Sequence, residues 1–65
     1  MEFDYIDLKR REQNLTVTKL CDLAGINRTT YYNLKRKNSD IKLSTVRKIF
    51  KALDLNAAEQ KRVIS

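Results

Sequence analysis

Thr16-Val-Thr-Lys-Leu-Cys-Asp-Leu-Ala-Gly-Ile-Asn-Arg-Thr-Thr-Tyr-Tyr-Asn-Leu34 is the stretch whose reading settles the architecture. Thr16 is a good N-cap residue, and Leu20, Cys21 and Ala24 follow at i, i+1 and i+4 on one helical face, with Val17 a turn earlier. Gly25 ends that helix, where the chain needs a left-handed residue that glycine adopts without penalty. Asn27 is a second N-cap residue. It opens a helix to about Arg36 whose inner face is Tyr31 and Leu34, with Ile26 packing at its entrance. Cys21 is the small residue where the two helices touch, a compact hydrophobe expected to be buried and inert.

The flanking segments are helical too. From Phe3 to Gln13, Tyr5 and Leu8 share one face while Phe3 and Ile6 lie on an adjoining one, so part of this helix is expected to stay exposed. Lys37 to Leu43 reads as a loop, after which Ser44 caps a helix with Val46, Ile49, Phe50 and Leu53 at i, i+3, i+4 and i+7. Asn56-Ala-Ala-Glu59 has capping-box spacing, with Asn in place of Ser or Thr, and opens a short helix ending in Val63 and Ile64. No stretch alternates strictly enough to argue for a strand. The expectation is one all-α, compact, five-helix domain over residues 1–65. Its core would be Leu8, Leu20, Cys21, Ala24, Ile26, Tyr31, Leu34, Val46, Ile49, Phe50 and Leu53. That core is small against the ordering cost of the chain, so marginal stability is expected.

Composition removes several functions. With 65 residues, one Cys and no His, the chain cannot assemble a structural zinc site, and a catalytic Cys would lack its activating base. Cys21 has no disulfide partner, which favours a reducing compartment, and no run approaches the roughly 20 apolar residues that span a bilayer. A cytoplasmic protein is expected, not an enzyme, with no cofactor, no membrane and no small-molecule substrate. At 65 residues, no effector-binding or protease-cleavage domain is expected beside it. Charge is more telling: Lys and Arg number 14 against 8 Asp and Glu, giving +6. Residues 26–51 hold eight of the cations against Asp40 alone, a net of +7. A patch so concentrated attracts polyanions, most often nucleic acid.

Two helices joined by a short glycine turn are the ingredients of a helix-turn-helix, here at about residues 16–36. The polar face of its second helix would carry Arg28, Thr29, Thr30, Tyr32, Asn33 and Arg36 outward, suited to base edges or phosphates in a major groove wide enough for a helix. The segment Leu15–Leu34, followed by Leu43-Ser-Thr-Val-Arg-Lys-Ile-Phe-Lys-Ala-Leu53, resembles the Cro and lambda-repressor-like (Xre) helix-turn-helix family. Leu15-Thr16 matches its Leu-Thr opening, Gly25 its turn glycine, and Ser44 to Leu53 its fourth-helix pattern. The chain departs from the family at Val17, where Gln is usual, at Cys21 for Ala, at Lys37 for Gly and at Ile41 for Pro.

The resemblance implies a lambda-repressor-like DNA-binding domain. It further implies a sequence-specific regulator of bacteria or phage, a repressor of the Cro type, acting as a homodimer on a palindromic double-stranded operator. It places base contacts at Arg28, Thr29 and Asn33, flanked by Thr30 and Tyr32. The chemistry fits: Arg28 can fork onto guanine, Asn33 can pair with adenine, and a Thr methyl can touch thymine. Arg28 and Thr29 have blander alternatives, a phosphate contact or solvated charge for the first and helix capping for the second. Tyr32 is an exposed ring, a phosphate ligand or a dimer contact. Backbone contacts fall to Thr16, Thr18, Lys19, Lys35, Arg36, Lys37, Lys42, Arg47 and Lys48, and dimer contacts to Leu55, Val63 and Ile64. Val17 and the apolar tail Val63-Ile64 motivate a rival, a protein-interaction module (antirepressor or scaffold) that keeps the fold without DNA. A binder of RNA or membrane surface by charge alone is weaker, because exposed aromatic platforms are few and no contiguous basic amphipathic helix is present.

Overall fold

Three helix ends share one device. The computed structural model describes residues 3–36 and 42–64, and arranges them as α1 (Phe3–Glu12), α2 (Val17–Ala24), α3 (Arg28–Arg36), α4 (Leu43–Leu53) and α5 (Ala57–Ile64). At the end of α2, Gly25 sits at φ 71° and ψ 36° and its N–H donates to the carbonyl of Asp22, while the Ile26 N–H reaches that of Cys21. These are the two bonds of a Schellman ending. Asn14 (φ 57°) closes α1 the same way, through Asn14 N–H to Arg11 and Leu15 N–H to Arg10, and Asp54 (φ 55°) closes α4 through Lys51 and Phe50. Asn and Asp enter the left-handed region more readily than other side chains, which makes these endings possible without glycine.

Helix starts are less uniform. The Thr16 hydroxyl accepts from the Lys19 N–H at 3.1 Å, and Asn27 offers its carbonyl to the Tyr31 N–H at 3.2 Å. Asn56 and Glu59 form the reciprocal box: the Glu59 N–H donates to Asn56 Oδ1 at 2.9 Å and the Asn56 N–H to Glu59 Oε1 at 3.2 Å. The expected cap of α4 is corrected. Both Thr45 and Val46 N–H groups find the carbonyl of Lys42, so the helix begins ahead of Ser44, and Lys42 holds the N-cap position with no side-chain hydrogen bond. Leu43 therefore belongs to α4 rather than to the expected loop. The rest of that loop, with Lys37 and Ile41, lies outside the described residues.

Packing is densest where α2 lies on α4; α3 joins α2 across the turn, and α1 touches both α3 and α5. Leu20, Cys21, Tyr31, Val46, Ile49, Phe50 and Leu53 are buried as expected, as are Ala24 and Leu34. Leu8 is not: it is 49% exposed, because α1 turns Phe3, Ile6 and Asp7 inward instead. The reason is an aromatic one. Phe3 meets the edge of Tyr31 at 5.1 Å between centroids, and that contact fixes which side of α1 faces the body. Ile26 packs on the core from its rim, half-buried. Leu55 and Val63, expected at a contact between subunits, are core residues of the protomer itself, 7% and 0% exposed. The Schellman turn at Asp54 delivers Leu55 into the core, and α5 presents Val63 as its one buried residue. Of the three residues expected at that contact, Ile64 is exposed.

Candidate nucleic-acid interface

The position of α3 is set from behind. Tyr31 is fully buried and Leu34 nearly so, and a fully buried phenol needs a partner for its hydroxyl. That partner is Asp7 of α1: the Tyr31 hydroxyl donates to Asp7 Oδ1 at 2.9 Å. Asp7 Oδ1 also accepts from Arg10 Nε at 3.1 Å and Nη2 at 3.0 Å, while Oδ2 lies 3.1 Å from Arg11 Nη2 and 3.6 Å from Lys35 Nζ. Arg10 is tied a second time, through Nη1 to the carbonyl of Leu15 at 2.6 Å.

Burial pushes the Asp7 carboxyl up, but the hydrogen bonds from Tyr31 and Arg10, with the charges of Arg10 and Lys35, outweigh it and hold the group below its usual range. Burial and the same carboxylate push the Tyr31 phenol up, so it remains a donor. No buried side-chain nitrogen or oxygen among the described residues lacks a hydrogen-bond partner. The polar part of this interior is satisfied, which is the condition under which it stabilises the structure.

With Tyr31 and Leu34 turned inward, helical spacing sets out the rest of α3. Thr29, Asn33 and Arg36, at i, i+4 and i+7, run along the middle of the outward face. Arg28, Tyr32 and Lys35 repeat that spacing along the edge nearer α1. All six are exposed, and Thr30 is half-buried on the opposite edge. The Tyr32 ring stands edge-on to Tyr31, 5.9 Å between centroids. Thr30 lines a recess of about 390 Å³ together with Gly25, Ile26, Asn27, Thr45 and Lys48, and this recess brings α4 alongside the α2–α3 turn. Lys42, Arg47 and Lys48 are exposed on α4, as are Thr18 and Lys19 on α2. Thr16 is exposed with its hydroxyl engaged as a cap. Thus Arg28, Thr29, Tyr32 and Asn33 are exposed together on the outward side of α3, Thr30 sits apart on the far edge beside Lys48 across the recess, and Lys37 lies outside the described residues.

A family model described as helix-turn-helix matches residues 6–60. The chain belongs to that family, of the Cro and C1 type. No curated protein and no solved structure matches it. As a member of this helix-turn-helix family it is a DNA-binding regulatory domain, and α2 and α3 are the two helices of its motif. Cys21, at the contact between them, is buried, and burial pushes its thiol up, away from reactivity. Among the described residues no helix is long and apolar enough to cross a membrane.

The residue that sequence reasoning missed is Asp7. A signal was available: Asp7 with Arg10 and Arg11 at i+3 and i+4 is an ion-pair pattern, and a tyrosine assigned to the core demands an acceptor. Nothing in the spacing says that the two demands meet across 24 residues of chain.

Proposed function

We propose that the chain is a sequence-specific regulator of the Cro type that represses transcription by inserting α3 into the major groove of a palindromic operator. One observation carries the reading: an outward face of exposed Arg28, Thr29, Tyr32, Asn33 and Arg36 on a helix anchored by fully buried Tyr31. Arg28 and Asn33 supply the bidentate donors and acceptors that distinguish guanine and adenine, and Thr29 and Thr30 the hydroxyls and methyls that accept either role. Lys19, Lys35, Arg36, Lys42, Arg47 and Lys48 neutralise phosphates, the Thr18 hydroxyl donates to one, and together they set register.

A single recognition helix covers few base pairs, so a two-fold dimer reading half-sites about 34–36 Å apart completes the proposal. With Leu55 and Val63 committed to the core, Ile64 is the remaining apolar candidate for that contact. The burial of Val63 also removes half of the apolar tail that motivated an interaction module.

Selection of bound sequences from a random duplex library tests the reading directly. Enrichment of an inverted repeat, with affinity falling steeply as salt rises, supports it. Failure to enrich any sequence, or affinity indifferent to salt, refutes it.

A further inference from the structure

Asp7 is a carboxylate placed directly behind a surface that is read here as binding a polyanion. Its contacts are unequal, and the inequality carries a consequence for DNA. Tyr31 is fully buried and Arg10, with 14% of its side chain exposed, is tied again at the Leu15 carbonyl, so neither can leave. Lys35 makes the longest contact, 3.6 Å, and its side chain is 39% exposed. It also stands on the edge of α3 beside Arg28 and Tyr32, at the border of the outward face. If Lys35 departs, Asp7 keeps two guanidinium groups and a phenol, so no buried charge is stranded. Arg11 is more exposed still, at 68%, but it stands on α1; of the cations around Asp7, Lys35 is therefore the one that belongs to α3, borders its outward face and can be released at little cost.

We propose that Asp7 is a positioning residue of the DNA interface: it holds Lys35 against α1 in the free protein and yields it to a phosphate when α3 docks, while keeping Tyr31 and the helix seated. The carboxylate thereby tunes an affinity for a ligand it never touches. This rests on the proposal that α3 docks on duplex DNA, and the test separates the two.

The full chain is titrated with a mixed-sequence DNA duplex over a range of salt. Lys35→Gln lowers the slope of log affinity against log salt by about 0.9, the share of one phosphate contact. Asp7→Asn, which keeps an acceptor for Tyr31 but removes the charge, tightens binding about 1.5- to fivefold beyond the effect of Asp4→Asn, an exposed acid on the same helix. That excess disappears in the Lys35→Gln background. An unchanged slope in Lys35→Gln, or an excess that persists without Lys35, overturns the proposal.

Should Asp7→Asn fail to fold, the wild type decides by NMR. A nuclear Overhauser contact between the Lys35 ε-protons and the Asp7 β-protons is present in the free protein and lost in the complex; its absence from the first or persistence in the second overturns the proposal. Wild-type protein that binds no duplex removes the docking of α3 itself. Wild-type binding with a Lys35-independent slope removes only the role given to Asp7.

Discussion

The two sides of α3 are built on opposite terms. Its back is closed: Tyr31 and Leu34 lie in the core, the Tyr31 hydroxyl is bonded to Asp7, and the Phe3 ring meets it edge-on. Its front is open: Arg28, Thr29, Asn33 and Arg36 are exposed, and their side chains make no hydrogen bond or ion pair with a described residue. A closed back fixes where the helix points; an open front leaves its donors and acceptors free for a ligand that supplies their partners. Changes to the back should therefore alter stability first and binding to all sequences alike, whereas changes to the front should alter sequence preference and leave stability alone.

The largest effect belongs to the back. Tyr31→Ala removes a fully buried ring and deprives Asp7 of a donor, and should cost about 3–5 kcal/mol in a denaturant titration. In a domain of this size that is a large share of the whole stability, so much of the variant should be unfolded near room temperature. A Tyr31→Ala variant that melts with the wild type would show that the back is not what holds α3.

The front comes next. Asn33→Ala should weaken operator binding by about 1–3 kcal/mol and relax the preference at a single base-pair position, with a melting temperature close to that of the wild type. Measured binding to the operator and to its single-base variants checks this. Uniform weakening over all variants would make Asn33 a phosphate contact, and a lowered melting temperature would break the division between the two sides.

How much of this was legible beforehand follows from which interactions are local. Helix existence was readable, because the apolar spacing of α2 and α4 and the caps at Thr16 and Asn56 are written within a few residues of one another. The outward face of α3 was readable for the same reason, since placing Tyr31 and Leu34 inside dictates what remains outside. The inward side of α1 was not. Choosing Phe3 and Ile6 over Leu8 depends on Tyr31, a partner more than twenty residues distant, and helical spacing within α1 supports either choice. Leu55 and Val63 were misplaced through the same gap: a short amphipathic tail looks alike whether its apolar residues meet the protomer or a second copy. The left-handed ends at Asn14 and Asp54 escaped notice because glycine is the usual marker and neither position has it.

Gly25 sharpens the comparison from the turn that joins the motif's two helices. A Cβ placed there meets no atom within 4 Å, so the objection to a side chain is backbone conformation alone. Gly25→Ala should then cost about 1–2 kcal/mol of stability, the penalty for a left-handed residue, without steric displacement of α3. Base preference should survive in the folded fraction. Altered preference in Gly25→Ala would mean that the turn steers the front of α3 in addition to the back.

The smallest expected effect has two signs at once. Lys42 stands at the N-cap of α4 with no side-chain bond to the helix, and a cation there also opposes the positive end of the helix dipole. On grounds of folding alone, Ser, Thr, Asp or Asn belongs at that position, and the neighbouring caps at Thr16 and Asn56 show that this chain uses such residues elsewhere. A local rule broken at one site is understandable where a ligand repays it. Lys42→Ser should raise stability by about 0.5–1 kcal/mol through the restored cap, while lowering the salt slope of DNA binding by about 0.9. The two measurements must move in opposite senses for the argument to hold. A variant that gains stability and keeps its full slope would make Lys42 a solvated charge with no phosphate contact, and the basic surface would then end at Arg47 and Lys48.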